Sequence, residues 1–319
     1  MKTVIVTGAA GFIGSNLTKS LLEKGYRVIG IDNFDDTYEK QFKKAHVEPF
    51  SKNENFVMNR VDIRDEKKLR KIFEKEKPAY VVHLAAKVDT RHAVETPHEY
   101  TSVNIDGTLN ILELCREYSV ENLVAASSSS VYGNSLQTPW KEDQTLGKPL
   151  SPYGATKHAM ELFAHSYHHN FDLNITCLRY FNVYGENNRP IMVPYIWAEK
   201  ILGDKEIEIS GDGSRKRDYT YVGDVVKATI LAMEKPVGFE VINVGNHTPA
   251  SLNELLAVFE KVIGKKAKVK SRPSSKASVE VTYADVSKAK EILNWQPEVS
   301  LEKGIERLVA WFRAERLGA

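Results

Sequence analysis

Lys2 to Gly14 reads KTVIVTGAAGFIG, placing a buried strand, a glycine turn and a helix start end to end. Val4, Ile5 and Val6 make a β-branched apolar run suited to a parallel strand covered on both faces. Gly8, Gly11 and Gly14 recur every third residue, so the backbone can turn tightly, approach a pyrophosphate and let the next helix pack on the strand. The free N–H groups and dipole at that helix start favour an anion. A ligand-free turn can share this composition, so the next strand decides. Residues 27–31 lead into Asp32, roughly 20 residues on, where a carboxylate reaches a ribose 2′-OH. Asp32 repels a 2′-phosphate and Asn33 supplies no charge to welcome one, which favours NAD over NADP.

Strand and helix then alternate. Residues 12–24 carry Ile13, Leu17, Leu21 and Leu22 at helical spacing, and Gly25 ends the run. A polar connection with one helix near 38–45 leads to a third strand at 55–60. There Asp62 and Ile63 would border an adenine, and Asp65 can cap the following helix. A fourth strand at 80–84 ends in His83-Leu84-Ala85-Ala86, whose small residues let the backbone lie against a cofactor, with His83 structural. A helix over 100–118, a strand over 123–126, a helix over 152–170 and a strand over 175–180 complete a doubly wound parallel Rossmann sheet, an α/β fold.

Beyond 181 the rhythm changes to helices near 193–202, 221–234, 252–263 and 301–313 with short strands at 206–210, 239–244 and 268–270. This predicts two domains: 1–180 for NAD, with segments near 221–245 returning to it, and a smaller α/β substrate-binding domain over 181–319. The 319 residues, 42% hydrophobic and 27% charged, suffice for both. Net charge is +2 and dispersed, and Lys265–Lys270 lacks interleaved aromatics, so no nucleic-acid partner is expected. Cys115 and Cys177 sit in apolar runs at neither disulfide nor metal spacing; both read as reduced core residues, with no metal centre and a cytoplasmic location. No apolar stretch approaches the roughly 18 residues of a membrane span.

Tyr153 and Lys157 are four apart on a helix and share a face. A phenol titrates near about pH 10; a neighbouring ammonium and a positive nicotinamide would lower that, giving a base for an alcohol proton. Ser128 can hydrogen-bond the same substrate oxygen. Behind a dinucleotide turn, the three form an alcohol–ketone redox site.

The chain resembles the extended short-chain dehydrogenase/reductase family, and within it the nucleotide-sugar epimerases. The resemblance runs through TGAAGFIG at 7–14, DN at 32–33, HLAA at 83–86, ASSSSVYG at 126–133, SPYGATK at 151–157, LRYFNVYG at 178–185 and RDYTYVGDV at 217–225. It implies tightly held NAD, Tyr153 as base, Lys157 orienting Tyr153 and the nicotinamide ribose, and Ser128 on the reacting hydroxyl. Cofactor contacts are implied at Gly8, Gly11, Phe12, Ile13, Gly14, Asp32, Asn33, Asp62, Ile63, Leu84, Ala85, Ala86, Asn104, Ser127, Tyr153, Lys157 and Tyr180. Contacts to a UDP-sugar are implied at Ser128, Ser129, Tyr153, Asn182, Arg189, Arg91, Val193, Arg217 and Arg272. A homodimer is also implied, through helices 100–118 and 152–170 pairing into a four-helix bundle.

The absent residues narrow the reaction. The related dTDP-glucose 4,6-dehydratases carry Thr at the place of Ser128, then an Asp and a Glu that eliminate water; here those places hold Ser129 and Ser130. UDP-glucuronate decarboxylases keep a glutamate at Ser130, and reductases of the GDP-fucose synthase kind need a Cys and His pair that neither cysteine here provides. Epimerisation at C4 needs only the minimal set. Arg189-Pro190-Ile191-Met192, DNF at 32–34 and ELFAHSY at 161–167 look most like UDP-glucuronate 4-epimerases, where the matching arginine approaches the carboxylate. Asn182, where that group has Thr, is typical of UDP-glucose and UDP-N-acetylglucosamine epimerases, so neutral hexoses stay open. So does a different class, a non-catalytic NAD-sensing scaffold.

Overall fold

The apolar run at the N-terminus becomes an inner strand of a seven-stranded parallel sheet. The computed structural model describes residues 1–273 and 279–317. Its sheet strands are β1 (Thr3–Thr7), β2 (Arg27–Asp32), β3 (Phe56–Arg60), β4 (Tyr80–His83), β5 (Asn122–Ser128), β6 (Ile175–Tyr180) and β7 (Phe239–Val244). They lie in the order β7-β6-β5-β4-β1-β2-β3. The chain leaves β1 for β2 on one side and returns to β4 on the other, which opens a crevice at the carboxyl ends of the strands.

Both faces of the sheet are covered, so alternate residues of each strand enter different cores. Val4 and Val6 pack with Leu17 and Leu21 of the helix Phe12–Glu23 and with Val225 and Val226 of the helix Val222–Glu234. Ile5 faces the other way, with Ile111 and Leu112 of the helix Gly107–Glu117. Such two-sided burial is why the strand sequences read as continuous apolar runs.

Two helices depart from their expected bounds. The one expected near 38–45 spans Lys40–Val47, because the preceding residues turn instead: Phe34 has φ +54°, the Asn33 side chain accepts from the Asp35 N–H, and the Thr37 hydroxyl donates to Asp35. The single helix expected over 100–118 begins at Pro97, a residue suited to a first helical turn, and changes winding. Pro97–Thr101 passes through a π-helical turn, Ser102–Asp106, into Gly107–Glu117. Capping follows the sequence elsewhere. Asp65 accepts from the Lys68 N–H at 3.1 Å, and Ser251 and Glu254 form a reciprocal capping box.

After β6 the chain builds small units beside the carboxyl edge of the sheet. Ile207–Ser210 pairs with Val269–Arg272, and Asn182–Tyr184 pairs with Tyr219–Tyr221, both in parallel. Trp197 meets Phe259 edge to face, and Leu301–Phe312 buries Ile305, Leu308, Val309 and Phe312. Asp218 ties this region together, its carboxylate accepting from the N–H groups of Asn246, His247 and Ala284. Burial pushes that carboxyl up to about 6.

Candidate active site

The glycine turn after β1 forms one end of a cleft of about 1010 Å³. Gly8 has φ +71°, and a Cβ on Gly14 would stand 2.0 Å from the Gly8 carbonyl oxygen, so the turn closes only on glycine. The helix Phe12–Glu23 starts at Gly11 with no side-chain cap, leaving its first N–H groups turned to the cleft. Asp32 fixes the neighbouring wall, accepting from the Ala10 N–H at 3.1 Å and the Phe34 N–H at 2.8 Å. Burial raises the Asp32 carboxyl, and Lys43, 3.8 Å away, opposes the rise. Asn33 donates to Asp62 at 2.9 Å, and Arg64 forks onto the same carboxylate, outweighing its partial burial and holding it well below the usual range. An uncapped helix start, a turn with no room for side chains and a buried carboxylate one strand away fit a dinucleotide.

The middle of the cleft is made by the end of β5 and the helix Pro152–Phe171. Ser128 is the last residue of β5, and its Oγ accepts from the Ser130 N–H at 3.1 Å. Ser151 caps the helix through the Gly154 N–H, which sets Tyr153 and Lys157 one turn apart above Ser128. Tyr153 is 8% exposed and Lys157 4%. Burial lifts the Tyr153 phenol above its ordinary value, while the Ser128 hydrogen bond and the Arg189 charge act against the lift. Among the described residues Lys157 makes no hydrogen bond to that phenol. The Lys157 Nζ donates instead to the carbonyl oxygen of Ala126 at 2.7 Å, and burial lowers it to about 8.

Three arginines line the same cleft. Arg189 lines the cleft with its Nη2 3.6 Å from the Met192 Sδ, and it forms no salt bridge with a carboxylate among the described residues. Its loop is fastened to the glycine-turn helix: Asn16 Nδ2 donates to the Glu186 carbonyl at 3.0 Å, and Asn187 Nδ2 to Ser15 Oγ at 3.2 Å. Arg217 donates to the Lys216 carbonyl at 2.7 Å, Arg272 lies 3.7 Å from Glu208, and Asn182 Oδ1 accepts from Thr282 at 3.1 Å.

Every site residue expected from the sequence borders this one cleft except Asn104. The π-helical turn carries Asn104 behind the wall, where its Oδ1 accepts from the Lys87 N–H and its Nδ2 donates to the Lys87 carbonyl and to Thr156. There it braces the β4 loop. Two others border the cleft with their hydroxyls turned away: Ser127 donates to Glu161, and Tyr180 pairs with Thr229. Arg91, Val193 and Ser129 also line it, Arg91 from an exposed loop.

Sequence reasoning missed Tyr38, Lys43, Lys87 and Arg215, all of which line the cleft. Lys43 pairs with Asp35, which also meets Lys87 at 3.1 Å, and Lys87 reaches Glu99 at 2.9 Å. No periodic signal marks such a chain of charges; Arg215, which pairs with Glu280 outside it, stands two residues before Arg217 and could have been found from that. His83 is held at both ring nitrogens, by Thr7 at 2.7 Å and Thr108 at 3.1 Å, and burial with the Lys157 charge lowers it to about 3. Among the described residues no cluster of three His, Cys, Asp or Glu could hold a metal ion, and no helix is long and apolar enough to cross a membrane.

The family model described as GDP-mannose 4,6 dehydratase matches residues 5–308. A UDP-glucuronate 4-epimerase of Thermodesulfobacterium geofontis is 44% identical over 308 residues, spanning 96% of this chain and 95% of that protein. The crystal structure of the Bacillus cereus UDP-glucuronic acid 4-epimerase in complex with UDP-glucuronic acid and NAD superposes with a TM-score of 0.92 at 36% identity, covering 98% of this chain and 99% of the other. The UDP-glucose 4-epimerase of Thermotoga maritima with UDP-glucose gives 0.90 at the same identity and coverage.

Proposed function

This chain belongs to the GDP-mannose 4,6-dehydratase family of extended short-chain dehydrogenases/reductases, and from that premise we propose that it catalyses NAD-dependent epimerisation at C4 of a UDP-sugar. The first substrate pair is UDP-glucuronate and UDP-galacturonate. One observation carries the reading: Ser128, Tyr153 and Lys157 line one cleft together with Asp32, an uncapped helix start, and the cations Arg189, Arg217 and Arg272.

The Gly8–Gly14 turn, Asp32 and the backbone at Leu84–Ala86 would hold NAD, with Tyr180 beside them. When bound, NAD supplies a reversible hydride acceptor and a positive ring beside the phenol. Tyr153 takes the C4 hydroxyl proton and, once the sugar has turned, returns a proton to the same oxygen, with Ser128 aligning that oxygen. The ammonium of Lys157, anchored on Ala126, favours the phenolate form of Tyr153. Between the two proton transfers the keto sugar must turn about its diphosphate, which Arg217 and Arg272 would grip while Asn182 touches it.

Arg189 supports the uronate reading, as a cation without a carboxylate partner among the described residues, close enough to Tyr153 to act on its charge. Asn182 favours the second pair, UDP-glucose and UDP-galactose. Product analysis with each sugar distinguishes them.

The same reading keeps the division into an NAD domain (1–180, rejoined by 221–245) and a UDP-sugar domain (181–319), supported by the pairing of β7 on β6. A homodimer through helices 100–118 and 152–170 is supported by Leu162, 62% exposed, and Phe163, 37% exposed, on the second of them. A cytoplasmic location is supported by two buried free cysteines.

A further inference from the structure

We infer that the buried pair of Glu161 and Arg179 is a positioning device that keeps Lys157 as an ammonium, an assignment that rests on the epimerase reading above. Glu161 stands four residues after Lys157 on the same helix and is 4% exposed; Arg179, on β6, is 3% exposed. The guanidinium clamps both carboxylate oxygens, Nε to Oε1 at 2.9 Å and Nη2 to Oε2 at 2.8 Å. Ser127 donates its hydroxyl to the same Oε1, and the residue before it, Ala126, accepts from Lys157. One carboxylate thus locks the end of β5 to the helix and to β6 at the point where Lys157 is anchored.

The guanidinium is itself fixed from behind. It lies over the Tyr132 ring, 4.8 Å from the centroid, and the Tyr132 hydroxyl donates to Asn243 at 2.8 Å. With Arg179 immobile, Glu161 keeps its position.

The other charged and titratable groups around Lys157 are Cys177 and, behind Glu161, Arg179 from β6, and His83 from β4. Burial drives the Cys177 thiol far up and His83 down to about 3, so both are neutral through the working range. Burial works against the Lys157 charge, and the Glu161 side chain opposes that loss. The sign follows: without the Glu161 carboxylate, Lys157 gives up its proton at lower pH.

The test compares Glu161→Gln, Glu161→Asp and the double variant Glu161→Met with Arg179→Met, which leaves no unpaired buried charge if the first fails to fold. Two quantities are read: the alkaline limb of kcat against pH with NAD and UDP-glucuronate or UDP-glucose, and the titration of the Lys157 side chain by NMR in cofactor-free protein. The expected result is a limb and a titration moved to lower pH by about 0.5 to 1 unit in Glu161→Gln, and in the same direction by less in the double variant, which also removes the Arg179 cation. In Glu161→Asp both stay at their wild-type positions, even where kcat falls. Unmoved titration in Glu161→Gln, or an equal shift in Glu161→Asp, overturns the assignment. A wild-type protein that turns over no UDP-sugar, yet whose Lys157 titration moves as expected, overturns the epimerase reading and leaves the pair's role standing.

Discussion

Asp35 and Lys87 meet at 3.1 Å, although they stand on the loops after β2 and β4, on either side of the glycine turn. Lys87 continues to Glu99, and Asp35 to Lys43, so a chain of alternating charges ties the two loops together. A bound dinucleotide would lie beneath this tie. Lys87→Ala is expected to weaken NAD binding by about tenfold, equivalent to ~1.4 kcal/mol, chiefly through faster dissociation. Fluorescence titration and stopped-flow release measure it, and an unchanged off-rate would show that the tie does not span the cofactor's exit.

The same carboxylate sets an acid limit. Burial alone would raise Asp35, but Lys43, Thr37 and Lys87 outweigh it and hold the group at about 2. Its folded value lies below its unfolded one, so its contribution is complete above about pH 4 and is lost as pH falls towards 2. Asp35→Asn should therefore lose less stability than wild type between pH 5 and pH 2.5 in denaturant unfolding. Parallel losses would remove Asp35 from the acid transition.

A methyl group on Gly14 would sit 2.0 Å from the Gly8 carbonyl oxygen, in backbone rather than in a side chain that can swing aside. Gly14→Ala should cost about 3 kcal/mol or more, seen as a lowered Tm, and abolish NAD binding. Native-like NAD affinity in this variant would mean that the turn can open without consequence.

Tyr153→Phe removes the one hydroxyl placed to accept the C4 proton while leaving a ring of the same shape. A fall in kcat of about three orders of magnitude or more is expected, with UDP-sugar affinity by calorimetry within about twofold of wild type. Unchanged turnover would exclude the phenol as base.

Arg189→Ala should raise KM for UDP-glucuronate by about tenfold or more and affect UDP-glucose little. Equal losses on the two sugars would make Arg189 a structural residue. Asn187→Ala, which frees the loop from Ser15, should share the preference more weakly, because the guanidinium survives but its mooring is gone.

The sheet was legible because its strands are buried on both faces, and the repeated apolar runs leave few alternatives. Gly8, Asp32, Ser128, Tyr153 and Lys157 were legible because their spacing within motifs fixes where their backbone must go. What the sequence hid depends on winding and on long-range pairing. The π-helical turn at Ser102–Asp106 moves Asn104 behind the wall, and nothing in its composition signals the extra residue in the turn. Lys43 and Lys87 stand 44 residues apart in the sequence, and only the parallel order of β4, β1 and β2 brings their loops together around Asp35. The burial that raises the Tyr153 phenol was hidden too, because a sequence displays charged neighbours but not the loss of water.

The most direct test of the central claim is product analysis by chromatography of the purified protein with NAD, incubated separately with UDP-glucuronate and with UDP-glucose. The account predicts conversion of UDP-glucuronate to an equilibrium mixture with UDP-galacturonate, with no net consumption of NAD. Conversion of UDP-glucose alone would transfer the specificity from Arg189 to Asn182. No C4 epimer from either sugar, with the protein folded and NAD bound, would contradict the claim.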